Sequence, residues 1–247
     1  MPAAPHVKLL VLPCAGASAT MYLRWRRWLP AWVQLLPVEL PGRGGRLDEP
    51  CVGDYERLVA QLCDEHAGTM RGDYVLFGHS MGAMLAHGIA RRQRELGRPA
   101  PSLLFASGSP APSRHDPKRF AGKDDDASLI ADMRKQGGTP EEVYACEELM
   151  RLTLDTLRAD YRACASFRYG APASLPFPLH VFAGSDDDIA GQRIEAWRQE
   201  AAGAFSVDWF DGGHFFMRER EPEVLAALTR HLARRFCAPP GEPARAA

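Results

Sequence analysis

The residue with the clearest potential for chemistry is Ser80, in the sequence Gly-His-Ser-Met-Gly at residues 78–82. The apolar residues 74–77 before it predict a strand, and residues 83–90 after it follow a helical pattern. A serine in a sharp turn between strand and helix exposes its hydroxyl, and the N–H groups of the helix point at the same place. Both glycines fit such a turn, because side chains there would collide with the neighbouring strand and helix. The pattern predicts a nucleophile; the alternative is an ordinary glycine-rich turn.

A serine hydroxyl is a weak nucleophile at neutral pH and needs a neutral imidazole to accept its proton. We select His214 for this role, because a glycine turn joins it to a predicted strand and places it at the carboxyl edge of a sheet, beside the serine. His79 adjoins the serine, but we expect its side chain to point away from the hydroxyl. The other histidines lie in predicted helices, near the start of the chain or in stretches without distinctive chemistry: His6, His66, His87, His115, His180 and His231.

The acid that orients the imidazole is expected between these two residues, in the order serine, acid, histidine. Residues 179–183 predict a strand, and Gly-Ser-Asp-Asp-Asp follows it at residues 184–188. The common spacing of three residues after the glycine selects Asp187, with Asp186 and Asp188 as alternatives. Three aspartates in a row could also form a solvated turn or a weak cation site. No histidine or spaced carboxylate pattern accompanies them, so we predict no metal ion and no cofactor.

Backbone N–H groups must stabilise the negative charge that develops on the attacked carbonyl oxygen. One predicted donor is Met81, which directly follows the serine. The second is expected from the loop after the first predicted strand, residues 13–18, where we select Ala15. The small residues of this loop let its backbone approach the developing charge.

The elements that position these residues alternate along the chain, which predicts an α/β fold with a mostly parallel sheet and helices on both faces. The predicted strands are residues 8–12, 34–40, 74–77, 102–106, 179–183 and 206–210. The predicted helices outside the central insertion are residues 19–29, 54–67, 81–96, 189–201 and 222–236. One domain is expected over residues 1–237, and residues 238–247 are expected to be a disordered tail.

Residues 109–173 break this alternation, because their pattern is helical throughout, with helices predicted at 125–135, 140–148 and 148–168. A helical insertion between strands usually lies over the carboxyl ends of the strands, where ligands bind. We predict that this lid segment, residues 109–173, covers the site; the alternative is an extra helical layer without substrate contact.

Composition fits one α/β domain in 247 residues, with 46% apolar residues and a net charge of −1. This charge gives no general attraction to nucleic acid or membranes, and no run of 18 apolar residues predicts a membrane helix. The apolar run at residues 8–12 is too short for a secretion signal. Six cysteines without Cys-x-x-Cys spacing indicate a reduced cytoplasmic protein without disulfides or zinc, with Cys63 and Cys146 expected in the core.

Six motifs, in order along nearly the whole domain, resemble those of type II thioesterases of polyketide and nonribosomal peptide biosynthesis. They are Leu-Pro-Cys-Ala-Gly-Ala-Ser at 12–18, Glu-Leu-Pro-Gly-Arg-Gly at 39–44, Gly-His-Ser-Met-Gly-Ala at 78–83, Gly-Gly-Thr-Pro at 137–140, Leu-Arg-Ala-Asp-Tyr at 157–161 and Gly-Gly-His-Phe-Phe at 212–216. The two motifs inside the lid segment are far more specific than the serine turn.

This resemblance implies an α/β-hydrolase that removes unproductive acyl groups from the phosphopantetheine arm of acyl or peptidyl carrier proteins. Ser80, Asp187 and His214 match the triad of that family, and Ala15 and Met81 match its oxyanion positions. The departures are Cys14 in place of an aromatic residue or histidine, Ala17 in place of a second glycine, Leu40 in place of an aromatic residue, and the lack of a proline after Asp187. The first two could alter the mouth of the site, and none removes a catalytic group.

Arginines near the predicted site could steer an acidic carrier protein to it: Arg24, Arg26 and Arg27 after the first loop, and Arg43 and Arg46 in another. The alternative is that they are ordinary solvated side chains. Two other functions stay open, an esterase or lipase acting on oxygen esters and a non-catalytic binder of carrier proteins. A monomer is expected, because no apolar seam is visible.

Overall fold

Six parallel strands form one sheet in the computed structural model, which describes residues 7–120 and 122–237. The strands are β1 (Val7–Leu12), β2 (Val33–Pro37), β3 (Tyr74–His79), β4 (Leu103–Ser107), β5 (Leu179–Gly184) and β6 (Phe205–Phe210). Each predicted strand is present, and the fold class predicted from the alternation is confirmed. The strand predicted to end at residue 40 ends at Pro37, after which Glu39 turns towards Ser18 and Ala19 and accepts hydrogen bonds from both.

The order of the strands in the sheet is β2-β1-β3-β4-β5-β6. The chain moves from β1 to one side and then returns to build the rest of the sheet on the other side. The direction of winding therefore reverses between β1 and β3, and ligands of such sheets bind at the carboxyl ends of the strands at this point. Ala15 follows β1 and Ser80 follows β3, so both lie at this reversal.

Helices cover the two faces of the sheet and form two separate cores. α1 (Tyr55–Glu65) and α2 (Met81–Glu95) pack on one face, and α8 (Glu221–Phe236), preceded by the short α7 (Phe216–Glu219), packs on the other. The helix predicted at 19–29 is a 3₁₀-helix, Ala19–Arg27, which also packs on the α8 side. Its buried residues are Ala19, Tyr22 and Trp25, and their spacing of three matches the period of a 3₁₀-helix rather than an α-helix. The helix predicted at 189–201 is likewise divided, into α6 (Gly191–Glu195) and a 3₁₀-helix, Ala196–Glu200.

The lid segment contributes α3 (Asp126–Gln136), α4 (Glu141–Ala145) and α5 (Glu147–Ser166) between β4 and β5. Asp125 caps α3 by accepting the N–H of Ser128 at 2.9 Å, and Gly137, at φ 71°, ends that helix. Five buried residues of the lid form a small core of their own: Leu129, Met133, Leu154, Leu157 and Tyr161. Ala15 packs against this core, which joins the lid to the loop after β1.

Cys146 is half-buried at the junction of α4 and α5, in extended conformation, so its predicted place in the core is wrong. The helical pattern of residues 140–168 did not reveal this break. Cys63 is fully buried, as predicted. Within the described ranges, no helix is long and apolar enough to cross a membrane. The predicted tail at residues 238–247 lies outside the described residues.

His180 on β5 and His231 on α8 stack, with 3.8 Å between their ring centroids. On β6, Ser206 Oγ lies 2.7 Å from His180 Nδ1, and Asp208 Oδ2 lies 2.7 Å from His231 Nε2. Burial and the neighbouring His231 lower the pKa of His180 to about 3. Burial also lowers the pKa of His66, His79 and His115.

We predict that the free energy of unfolding decreases as the pH falls below about 6.5, because these imidazoles take up protons in the unfolded chain before they do in the folded protein. Each such group contributes up to about 1.4 kcal/mol per pH unit between its two pKa values. Urea unfolding from pH 8 to pH 5 measures this slope, and His180→Gln should make it shallower. A variant with an unchanged slope would contradict the assignment to His180.

Candidate active site

Ser80 lies in a strained turn between β3 and α2. Its φ and ψ angles are 57° and −118°, a conformation that residues other than glycine rarely adopt. The turn is held by hydrogen bonds on both sides, from the N–H of Ser80 to Ser107 at 2.7 Å and from the N–H of Ala83 to Ser80 at 3.0 Å. The hydroxyl is thereby presented at the carboxyl edge of the sheet, as the Gly-x-Ser-x-Gly pattern predicts.

The two glycines of this turn are required by backbone contacts. A Cβ atom on Gly78 would overlap the carbonyl group of Gly82, and a Cβ atom on Gly82 would overlap the carbonyl group of Leu12 and lie 2.7 Å from that of Pro13. These obstacles are backbone atoms, which cannot move aside as a flexible side chain can. The glycines therefore allow α2, β3 and the loop after β1 to meet closely around the serine.

The structure brings together the three side chains predicted to form the triad, although they lie far apart in sequence. His214 Nε2 is 3.1 Å from Ser80 Oγ, and His214 Nδ1 is 2.8 Å from Asp187 Oδ2. With the proton on Nδ1 donated to the carboxylate, Nε2 is free to accept the proton of the serine. The side chains of His214 and Asp187 are only 10% and 4% exposed, so their contact is shielded from water.

Asp187 is distinguished from the neighbouring aspartates by these contacts. Asp188 points outwards and forms an exposed ion pair with Lys135 at 2.7 Å. Asp186 is exposed, and its backbone N–H donates to the carbonyl oxygen of Gly212 at 3.0 Å. Among the three alternatives left open by the sequence, only Asp187 contacts the imidazole in the described structure.

The loops that carry Asp187 and His214 pack against each other through glycines. A Cβ atom on Gly184 would lie 2.5 Å from the carbonyl oxygen of Gly213 and 2.6 Å from that of Gly212. Gly212 itself has a φ of 120°, which side chains disfavour. The hydrogen bond from Ser185 N–H to Phe210 at 2.8 Å ties the two strand ends together. Glycines at these positions therefore let the acid approach the histidine.

His79 lies behind His214, with the ring centroids 5.2 Å apart. Its Nδ1 is 3.0 Å from Ser107 Oγ, so the ring is directed to β4, in line with the expectation that it points away from the hydroxyl. Complete burial and the nearby His214 hold the pKa of His79 well below its usual range. The ring is therefore neutral at physiological pH and adds no positive charge beside the imidazole of His214.

The loop after β1 lies against the serine, because Ala15, Ser80 and Met81 line the same cavity. Met81 is the first residue of α2, so its N–H has no acceptor within that helix. Cys14 lines the same cavity in a buried position, and burial raises the pKa of its thiol to about 11. Its sulfur is therefore a neutral part of the wall and not a competing nucleophile.

Two connected cavities reach this site. The first, of about 100 Å³, lies beside Ser80, and its apolar wall comes mainly from α2 and the lid segment: Met84, Phe120, Met133, Leu157, Tyr161 and Ile189. The second, of about 400 Å³, lies between the loop after β1 and the Gly-Gly-Thr-Pro motif of the lid, and includes Ser18, Met21, Gly138, Pro140, Phe215 and Arg218. Ala15 and Leu157 line both cavities. The lid segment therefore contacts the cavity at the predicted nucleophile, which favours a lid over a separate helical layer.

Arg43 does not belong to a steering surface, so that prediction is wrong. Its side chain is 6% exposed and forms two hydrogen bonds to Asp160 of α5, at 2.6 and 2.7 Å. Arg46 likewise pairs with Glu49 and Glu65.

Among the other arginines of the predicted surface, Arg24 pairs with Glu221, and Arg26 and Arg27 are exposed. Asp160 was not singled out from the sequence. A signal was present, because Asp160 occurs in the apolar stripe of α5 with Leu157, Tyr161 and Cys164, and all four are buried.

Within the described part of the chain, no group of three or more histidine, cysteine or acidic side chains is arranged to hold a metal ion.

The comparisons with known proteins agree on one family. A family model that describes a thioesterase domain matches residues 7–232. The linear gramicidin dehydrogenase LgrE of Brevibacillus parabrevis is 32% identical over 236 residues, which are 94% of this chain and 90% of the relative. The thioesterase PikA5 of Streptomyces venezuelae is 33% identical over 228 residues, 92% of this chain and 81% of the relative. The solved structure of BorB, a type II thioesterase from the borrelidin biosynthetic cluster, has a TM-score of 0.83 at 36% identity and covers 94% of both chains.

The parallel sheet and the strained serine turn define an α/β-hydrolase. Within that class, the chain belongs to the thioesterase family. It is a thioester hydrolase, and its resemblance to type II thioesterases, inferred from six motifs, is confirmed.

We predict that Gly82→Ala lowers both stability and activity. The added methyl group would press on two backbone carbonyl groups of the β1 loop, and overpacking of this kind costs about 1–3 kcal/mol. Thermal unfolding and thioester hydrolysis measure the two effects. Gly68→Ala is the matched control, because a Cβ atom there meets no atom within 4 Å. Equal behaviour of the two variants would show that the close approach at Gly82 is not needed.

Proposed function

We propose that this protein is an editing thioesterase that hydrolyses aberrant or stalled acyl groups from the phosphopantetheine arm of acyl or peptidyl carrier proteins. The observation that supports this most strongly is the contact of His214 with both Ser80 and Asp187 beneath a lid that carries the two most specific type II motifs. One relative named above is called a linear gramicidin dehydrogenase, and BorB comes from the borrelidin biosynthetic cluster, which supports a role beside a biosynthetic assembly line.

The first half of the reaction is acyl transfer to the serine. Ser80 Oγ attacks the thioester carbonyl carbon while His214 Nε2 accepts the hydroxyl proton, and Asp187 stabilises the resulting imidazolium. The N–H groups of Ala15 and Met81 donate to the oxyanion of the tetrahedral intermediate. When the intermediate collapses, the carbon–sulfur bond breaks, and the pantetheine sulfur leaves with the proton from His214. The products are a free thiol and an acyl-serine ester.

The second half returns the enzyme to its starting state. A water molecule gives a proton to His214 and attacks the carbonyl carbon of the acyl-serine, and the same two N–H groups stabilise the charge. Collapse breaks the bond to Ser80 Oγ, which takes the proton back from His214. The acyl group leaves as a carboxylic acid. The first cavity, with its apolar wall of lid residues, is suited to the acyl group, and the second cavity is suited to the pantetheine arm.

Other activities fit the described residues less well. The dehydrogenase name of one relative would suggest a dinucleotide site, but the loop at residues 13–18 has one glycine and not the three-glycine pattern that cradles a pyrophosphate. A non-catalytic binder would not need the contacts of Ser80, His214 and Asp187. An oxygen-ester hydrolase would use the same triad, so substrate comparison must separate it from a thioesterase.

We predict that Ser80→Ala lowers turnover of an acyl-pantetheine thioester by about 10⁶-fold, the cost of removing a triad serine. The rate is measured from the released pantetheine thiol, which a thiol reagent detects. Mass spectrometry of the wild-type protein after fluorophosphonate treatment should find the adduct on Ser80. Ser113→Ala, at a surface serine of the lid, should keep both rate and adduct. Activity that survives in the Ser80 variant would require another nucleophile. A matched alkyl ester hydrolysed faster than the thioester would favour the esterase alternative.

We predict that reversing Arg26 and Arg27 to glutamate lowers kcat/KM for a carrier-bound thioester by about tenfold, since two reversed charges at the rim of a complex each change binding by about 0.5–1 kcal/mol. These exposed arginines end the 3₁₀-helix whose first residues line the second cavity. Hydrolysis of a small pantetheine thioester should be unchanged.

The matched control for this surface is the reversal of Arg234 and Arg235, an exposed pair at the end of α8. Near this end of α8, His231 stacks on His180, the second residue of β5, so the pair lies towards the amino edge of the sheet, opposite Ser80. The control should lose little activity on either substrate. If the first variant slowed hydrolysis of both substrates equally, the exposed arginines would not be a docking surface.

A further inference from the structure

Asp160 is a buried carboxylate that the proposed reaction does not use. It lies on α5 of the lid segment and is 1% exposed. Its charge is shared among three donors: Oδ2 accepts the N–H of Gly16 at 2.7 Å and Nη1 of Arg43 at 2.6 Å, and Oδ1 accepts Nη2 of Arg43 at 2.7 Å. A carboxylate buried in this way is tolerated because it is paired and fully hydrogen-bonded. One of its three bonds is made to the loop that carries the proposed oxyanion donor.

The same face of α5 also packs on this loop. Leu157 lies one turn before Asp160, and a Cβ atom on Gly16 would meet its Cδ1 at 3.2 Å. Gly16 has a φ of 74°, which glycine adopts without strain. Its lack of a side chain lets α5 approach until the carboxylate reaches the backbone N–H. The helix thus contacts Gly16 both by packing and by a charge-assisted hydrogen bond.

Two hydrogen bonds, one to Asp160 and one within the loop, fix the orientation of the peptide groups on the two sides of Ala15. The peptide group between Ala15 and Gly16 is held by the bond from Gly16 N–H to Asp160. The peptide group between Cys14 and Ala15 is held by the bond from Ala17 N–H to the Cys14 carbonyl, at 3.2 Å. Since a trans peptide group is planar, with its N–H opposite its C=O, the second bond turns the N–H of Ala15 away from the loop interior.

The far end of the loop is held separately by Glu39. Its Oε2 accepts the hydroxyl of Ser18 at 2.5 Å, and its Oε1 accepts the N–H of Ala19 at 3.0 Å. Glu39 follows β2, so this restraint belongs to the sheet. Asp160 belongs to the lid, and it restrains the residue that directly follows Ala15.

We propose that Asp160 is a positioning residue for the backbone donor of Ala15, and that Arg43 holds the Asp160 carboxylate in the orientation that Gly16 requires. This inference rests on the proposed function, since it concerns the oxyanion position of that reaction. Its consequence is that the donor acquires its working geometry only when α5 is docked on the loop. The lid then contributes to the chemical step in addition to lining the acyl cavity.

The test is Asp160→Asn, which keeps the size of the side chain but leaves one carbonyl oxygen for three donors. We expect kcat for an acyl-pantetheine thioester to fall about 10–100-fold, with KM changed less than about threefold, because the lost geometry matters most in the tetrahedral state; complete loss of one oxyanion donor costs about 10²–10³. A trifluoromethyl ketone analogue forms a tetrahedral adduct with the serine, and its inhibition constant should weaken by about the same factor as kcat.

Glu200→Gln is the matched control for a merely structural effect. Glu200 is fully buried and also has three hydrogen-bond partners, the backbone N–H of Ala173, the hydroxyl of Tyr169 and the ring Nε2 of His87, but all three lie outside the loop after β1. We expect this variant to lower the Tm and to keep kcat and the inhibition constant. If both variants lost kcat in proportion to their loss of Tm, the role of Asp160 would be structural only and the proposal would be overturned.

A second variant covers the case in which Asp160→Asn does not fold. Arg43→Met combined with Asp160→Leu replaces the buried ion pair with apolar side chains, an exchange that proteins often tolerate well. It leaves the N–H of Gly16 without its acceptor, so kcat should fall as in the single variant while the Tm stays near the wild-type value. A folded double variant with wild-type kcat would refute the proposal. Hydrolysis by the wild-type protein and its loss in Ser80→Ala test the proposed function separately from this inference.

Discussion

The close contact of backbone with backbone around Ser80 is the constraint on which the rest of the site depends. The serine adopts an unfavourable conformation, which typically costs about 1–3 kcal/mol and persists only when the surrounding structure enforces it. Here the enforcement comes from the hydrogen bond to Ser107 on β4 and from glycines that admit the carbonyl groups of Leu12 and Gly82. Because β1, β3 and α2 meet at this point, the loop after β1 lies beside the hydroxyl. A looser turn would separate the predicted nucleophile from its predicted oxyanion donors.

The electrostatic environment divides the buried groups into neutral and paired ones. Desolvation keeps the ring of His79 and the thiol of Cys14 uncharged beside the reactive side chains. The buried carboxylates lie against donors, since Asp187 Oδ2 contacts His214 Nδ1 and Asp160 is paired with Arg43. His79 and Cys14 therefore do not compete for the proton in the proposed transfer from the serine to the imidazole.

The lid contacts the rest of the protein in two ways, through apolar residues at the cavity and through a buried ion pair. Its apolar residues, such as Leu157 and Tyr161, supply part of the wall of the cavity beside Ser80. The buried carboxylate of Asp160 on α5 joins Arg43, in the loop after β2, to Gly16 in the loop after β1. Under the proposed function, the first contact would shape the space for the acyl group, and the second would make the backbone of the proposed oxyanion site depend on the position of the lid.

Local patterns in the sequence were enough to determine the strands, the serine turn and the candidates Ser80 and His214, because apolar periodicity and glycine spacing are properties of neighbouring residues. They selected Asp187 by the common spacing but left Asp186 and Asp188 open, since one residue of register decides which side chain faces the histidine. The 3₁₀ form of residues 19–27 and the burial of Arg43 were also decided by tertiary packing: the first by a surface that accepts every third side chain, the second by a partner 117 residues away. The sequence therefore identified the candidate reactive groups. The packing of distant segments decided which other side chains contact and orient them.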